Sequence, residues 1–133
     1  ASSNLKVNLA DSINWNDMGK VTEAKDQGSC GACWSFTTTA TTESYIAIKS
    51  GVMTDLSEEY LVECTANSDC GGGYVSAAMA KVVSGKGLPT ESMYPYKGQD
   101  TGANTPSSGG ICSSQVMSIP PGTVTKTYIQ PSN

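Results

Sequence analysis

The clearest pattern along the chain is Val75, Ala78, Met79, Val82 and Val83, apolar positions at i, i+3, i+4, i+7 and i+8. That spacing predicts an amphipathic helix, and Gly85 follows it as a cap. A second segment, Cys33 to about Lys49, contains no Gly or Pro, and Lys49-Ser50-Gly51 reads as a helix stop. Five threonines lie between positions 37 and 42 of this segment. Their helix propensity is poor, so packing must hold the helix, with Phe36, Ala40, Ala47 and Ile48 as its expected buried face. Trp34 and Tyr45 read as core or rim. Ser57 is a good N-cap for a third helix, with Glu58 and Glu59 placed in its positive first turn and an end near Cys64.

Outside these helices the pattern weakens. Residues 1–28 read as extended segments and turns. Residues 98–133 hold five glycines, four prolines and six serines, and predict turns and short strands, with 122–129 the best strand candidate.

Composition narrows the class. The chain has 133 residues, 38% apolar and 15% charged, enough for one folded unit with a modest core. A net charge of −4 does not favour nucleic acid or an anionic membrane, since both need clustered Lys and Arg. No apolar run approaches the length of a membrane span. The start at Ala1, with no signal-peptide pattern, reads as a processed mature protein or a fragment of one. Five cysteines in so short a chain suggest an oxidising compartment. The odd count leaves one unpaired or bonded outside the chain, and four paired cysteines permit three connectivities.

Candidate chemistry centres on Cys33, at the expected N-terminus of the 33–49 helix. Unpaired N–H groups and the helix dipole there favour negative charge, and the thiolate is the nucleophilic form of cysteine. Gln27 supplies a side-chain amide that, with a backbone N–H, could form an oxyanion hole. Gly28 and Gly31 allow a tight turn between them. Three competing readings are weaker. A thioredoxin-like Cys30/Cys33 redox pair usually follows a strand in an alternating strand–helix pattern, which is not seen here. A zinc site of Cys30, Cys33, Cys64 and Cys70 has too wide a second spacer and leaves Cys112 over. Gly71-Gly72-Gly73 lacks the Gly-Lys-Ser/Thr that completes a phosphate loop.

Cys30-Gly31-Ala32-Cys33-Trp34 resembles the active-site signature of papain- and cathepsin-like cysteine proteases. Trp15 with Gly19-Lys20-Val21-Thr22, the Gln27-to-Phe36 segment, Leu56-Ser57-Glu58 leading to Cys64, Cys70-Gly71-Gly72-Gly73-Tyr74, and Tyr94-Pro95-Tyr96-Lys97-Gly98 are similar to further landmarks of that family, in family order over about residues 13–98. The resemblance implies an α+β fold class, with the mainly helical left lobe at about 13–125 of a partial peptidase domain spanning 1–133. It implies Cys33 as nucleophile and Gln27 as oxyanion donor. It implies Gly31, Gly72, Gly73, Tyr74 and Val75 as substrate-binding residues, and disulfides Cys30–Cys70 and Cys64–Cys112. One departure is Gly71, where the family usually carries asparagine.

The resemblance also implies a peptide or protein substrate, propeptide or cystatin-like inhibitors as partners, no cofactor or metal, no nucleic acid or membrane partner, and a secreted or lysosomal/vacuolar location. The family's histidine base and its orienting asparagine fall roughly 130–150 residues after the cysteine, and this chain contains no histidine. The expectation is therefore a left lobe that hydrolyses peptide bonds only with a complementary right-lobe segment supplying His and Asn. An idle, secreted binding or structural module is the alternative.

Overall fold

The computed structural model of the chain describes residues 10–84, 88–99 and 112. Three helices carry the described fold: α1 (Cys33–Ser50), α2 (Glu58–Cys64) and α3 (Val75–Ser84). Among the described residues strand pairing is confined to isolated antiparallel bridges, Leu56 with Thr90 and Asp69 with Gly72. The expected strand at 122–129 and the cap at Gly85 lie outside the described residues.

α1 packs on both α2 and α3. It stops where its sequence says it should. Gly51 adopts φ 77°, and its N–H closes the last turn on Ala47 O, a left-handed cap that glycine enters without steric cost. Its buried face, however, differs from the apolar set expected from sequence. Ala47 is buried, but Ala40 and Ile48 face outward and Phe36 is half-buried. The buried face is instead Trp34, Ser35, Thr38, Thr39, Thr42, Glu43 and Ala47. Thr38 and Thr42 tolerate this because they donate their hydroxyls to the carbonyls of Trp34 and Thr38, four residues back, at 2.7 and 2.8 Å, whereas the buried Thr39 hydroxyl has no hydrogen-bond partner among the described residues. A hydroxyl satisfied on its own helix leaves the methyl group to pack.

α2 has only seven residues, too short to persist by itself. Packing and covalent links hold it. Ser57 caps it by accepting the Tyr60 N–H at 3.1 Å, and the Ser35 hydroxyl of α1 donates to Glu58 O at 2.8 Å. Its last residue, Cys64, is bonded to Cys112. Every residue of α2 is buried, including Glu58, Glu59 and Glu63, so the glutamates read from sequence as a charged first turn lie inside. The core joins Cys30, Ala32 and Trp34 to Leu56, Tyr60, Leu61 and Val62, with Ala78 and Val82 from α3 and with Leu88 and Tyr94. The second bridge, Cys30–Cys70, spans a sequence separation of 40, a loop closure worth about 4 kcal/mol in the chain-entropy account.

Candidate active site

Cys33 is the first residue of α1, exposed, and the free cysteine of the described residues. Ala32, just before it, is fully buried, and the N–H groups of Ser35 and Phe36 bond back to Ala32 O. The thiol therefore sits on a rigid first turn at a helix N-terminus, where backbone N–H groups lack helical partners.

Six residues earlier, Gln27 lies at the start of the turn that leads into Cys30. Its side-chain nitrogen donates to Cys30 O at 3.0 Å. Gly28 follows with φ 65°, its N–H accepted by Asp26 Oδ1 at 2.8 Å. The turn is fastened to the second glycine loop: the Gly31 N–H donates to Cys70 O at 2.8 Å, beside the Cys30–Cys70 bond. A Cβ on Gly31 would lie 2.7 Å from that same carbonyl oxygen, so only glycine permits this approach.

The second loop holds the other residues implied by resemblance. Asp69 and Gly72 exchange both main-chain hydrogen bonds, at 3.0 and 3.2 Å, and Asp69 Oδ1 accepts the Gly71 N–H at 2.7 Å. Gly72, at φ 136°, thus spends its main-chain groups on the turn. Gly73 makes no main-chain hydrogen bond within the described residues. A Cβ there would lie 2.7 Å from the Trp34 ring and 2.8 Å from Ser68 Cβ. Trp34 follows Cys33 and donates its indole N–H to Asp69 O at 3.1 Å, so this loop is docked directly on the first turn of α1. Tyr74 stands out, 74% exposed, whereas Val75 is half-buried against the core at the start of α3. Gly73→Ala is expected to lower stability by about 1–3 kcal/mol through overpacking on Trp34, read by urea denaturation; an unchanged midpoint would refute this contact.

A charged network that no motif announced joins Lys25 to three carboxylates. Lys25 Nζ meets Glu58 Oε1 at 2.7 Å, Asp55 Oδ1 at 2.5 Å and Glu43 Oε2 at 3.4 Å. Glu43 also accepts the Thr22 hydroxyl and the Leu56 N–H, both at 2.7 Å. Burial opposes the Lys25 charge, but hydrogen bonds to Asp55 and Glu58 and the charges of Glu58 and Glu43 outweigh it and hold its pKa above the ordinary lysine value. Burial pushes Glu58 up to about 7 against the pull of Lys25. Thr22, Lys25, Glu43 and Glu58 line one side of an open cavity of about 610 Å³ together with Val21, Phe36 and Ala40. A second cleft of about 440 Å³ runs past Trp15, Tyr45 and Ile48.

Lys25, Glu43 and Asp69 organise this region without any motif in the sequence to mark them, and Glu58 and Tyr96 were legible only as parts of landmarks. Their partners lie up to 69 positions away along the chain, and a single lysine or tyrosine carries no local mark of such pairing. Among the described residues no group of three or more His, Cys, Asp or Glu is arranged to hold a metal ion, and no helix is long and apolar enough to cross a membrane.

An exposed free cysteine opening a long helix, a glutamine turn bridged to a glycine loop by a disulfide, and a mainly helical packing match the helical left lobe of a papain-like fold. The chain belongs to the papain family of cysteine proteases, whose profile matches residues 9–130. It is 43% identical to zingipain-2 of Zingiber officinale over 109 residues, covering 81% of this chain and 45% of that protein. It is 39% identical to cathepsin S of Mus musculus, covering 69% of this chain and 28% of that protein. The structure of bromelain from Ananas comosus in complex with the E64 inhibitor matches with a TM-score of 0.66 and 40% identity, over 69% of this chain and 43% of that one. The chain thus spans less than half the length of these relatives.

Proposed function

We propose that this chain is the nucleophile-bearing lobe, at about residues 13–125, of a papain-like cysteine endopeptidase. The observation that carries this reading is Cys33: free, exposed and first in α1, with the Gln27 amide held on the turn just before it. In the proposed reaction the Cys33 thiolate attacks the carbonyl carbon of an extended peptide. The oxyanion that forms accepts hydrogen bonds from the Gln27 side chain and the Cys33 N–H. A histidinium then protonates the departing amine, and water releases the acyl group from sulfur. Gly73 offers its free main-chain groups to the substrate backbone, beside Gly31 and Gly72, while Tyr74 and Val75 line a side-chain pocket.

The chain contains no histidine, so the base and its orienting asparagine come from residues beyond these 133, on a second lobe. The exposed apolar side chains Trp15, Val21, Tyr45 and Ile48, set around the two clefts, supply the surface for it. The substrate class is peptide or protein, with propeptide or cystatin-like chains as inhibitors. Two disulfides fit an oxidising compartment, and the proposed location is secreted or lysosomal/vacuolar.

The chain alone is expected to leave a fluorogenic extended peptide uncleaved and to react slowly with iodoacetamide at pH 5. Assembly with a histidine-bearing second lobe is expected to restore hydrolysis and fast alkylation at pH 5, both abolished by Cys33→Ser. Cleavage by the lone chain, or an active Cys33→Ser assembly, would overturn the mechanism.

A further inference from the structure

The Gln27 turn lies just ahead of the first turn of α1 in the chain, and peptide chemistry at Cys33 needs their spacing held to a fraction of an ångström. One side chain touches both. The Tyr96 hydroxyl donates to Gln27 O at 2.6 Å. Its ring meets Phe36 edge-on, centroids 4.9 Å apart and planes at 88°. Phe36 stands in the first turn of α1, three residues after Cys33. Tyr96 is itself anchored, since its N–H donates to Glu91 Oε1 at 2.8 Å. Gly98 lies close by at φ 68°, and even a Cβ there would come only to 3.8 Å from the Tyr96 ring and 3.9 Å from Gln27 O.

We infer that Tyr96 is a positioning residue: its hydroxyl and ring tie the Gln27 turn to the helix that carries Cys33. The inference rests on the peptidase reading above and adds to it the part that sets the donor-to-thiol distance. The hydrogen-bond inventory makes this specific. A glutamine amide has two N–H bonds. One is spent on Cys30 O and fixes the plane of the group, leaving the other for an oxyanion. That plane is only as well placed as the Gln27 backbone, whose carbonyl Tyr96 holds. Burial first, then the charges of Glu59, Glu58 and Asp26, hold the Tyr96 pKa above the ordinary tyrosine value, so the hydroxyl remains a donor.

The test is Tyr96→Phe, which keeps the ring and removes the hydroxyl. In the ¹⁵N-labelled chain the Gln27 side-chain amide pair, assigned by its loss in Gln27→Leu, is expected to move toward the values of a freely solvated glutamine. The Trp34 indole signal, reporting the bond to Asp69 O, is expected to stay. An unmoved Gln27 pair overturns the inference, and so does a Trp34 signal that moves with it, since the change would then be global. In the assembly with a second lobe, kcat is expected to fall about three- to tenfold, as for one lost hydrogen bond, with KM within twofold. A raised KM at unchanged kcat rejects the role. Absence of hydrolysis by the unaltered assembly would instead sink the peptidase reading, while the amide signals still decide whether Tyr96 positions Gln27.

Discussion

The folded chain is expected to lose stability as pH rises from about 4.5 to about 7, by roughly 3 kcal/mol or more. Two glutamates of α2 carry this result. Burial pushes Glu58 up to about 7, and pushes Glu59 up to about 7 as well. Both are essentially without solvent contact. Glu59 Oε2 accepts the Lys97 N–H at 2.9 Å, but its Oε1 has no hydrogen-bond partner among the described residues. The Glu63 carboxyl lies one helical turn on and raises Glu59 further. Tyr94 faces the same pair; burial, then the Glu63 and Glu59 charges, push its pKa up to about 12.

In the unfolded chain both glutamates titrate near 4.5. Between that value and 7 the folded chain keeps protons the unfolded chain has released. Stability therefore falls with pH across this window, is fully present below it and is lost above it. One pKa unit corresponds to about 1.4 kcal/mol, so even half of either shift is measurable. Urea unfolding at pH 5 and pH 7.5 checks the direction. Glu59→Gln, which stays neutral and keeps an acceptor for Lys97, should flatten the slope and raise stability at pH 7.5. A stability that climbs between pH 5 and 7.5 would refute the account.

Lys25→Met is expected to destabilise the chain by about 3–5 kcal/mol at pH 7.5, the usual cost of stranding a buried charge. Lys25 is the cation shared by Glu43, Glu58 and Asp55. Glu43 and Glu58 are 1% and 2% exposed, so water screens neither. Asp55 is 58% exposed, and the loss of its partner matters little. The loss should shrink at pH 5, where Glu58 takes up a proton and needs no cation. It should also shrink in Lys25→Met combined with Glu58→Gln. The check is a double-mutant cycle in urea at both pH values; a cost below about 1 kcal/mol at pH 7.5 would show that the network contributes charge contacts without stability.

Much of the helical frame was legible in the chain itself. The i, i+3, i+4 spacing of Val75 to Val83, the Ser57 cap and the Gly51 stop are local signals, and a helix is a local structure whose hydrogen bonds join residues four apart. The family was legible for a similar reason, since its landmarks are short contiguous stretches such as Cys30 to Trp34. Tertiary structure decided the rest. Which face of α1 is buried depended on the Thr38 and Thr42 hydroxyls finding carbonyls on their own helix, which hydropathy does not register. Whether Glu58 and Glu59 are solvated caps or buried acids depended on what packs over α2. The order within the candidate site came from contacts between residues far apart in sequence: Tyr96 on Gln27, Gly31 on Cys70, and Gly73 on Trp34. Such contacts leave no periodic trace in a single chain, because a hydrogen bond or a close approach between distant segments constrains each residue only through the shape of the other.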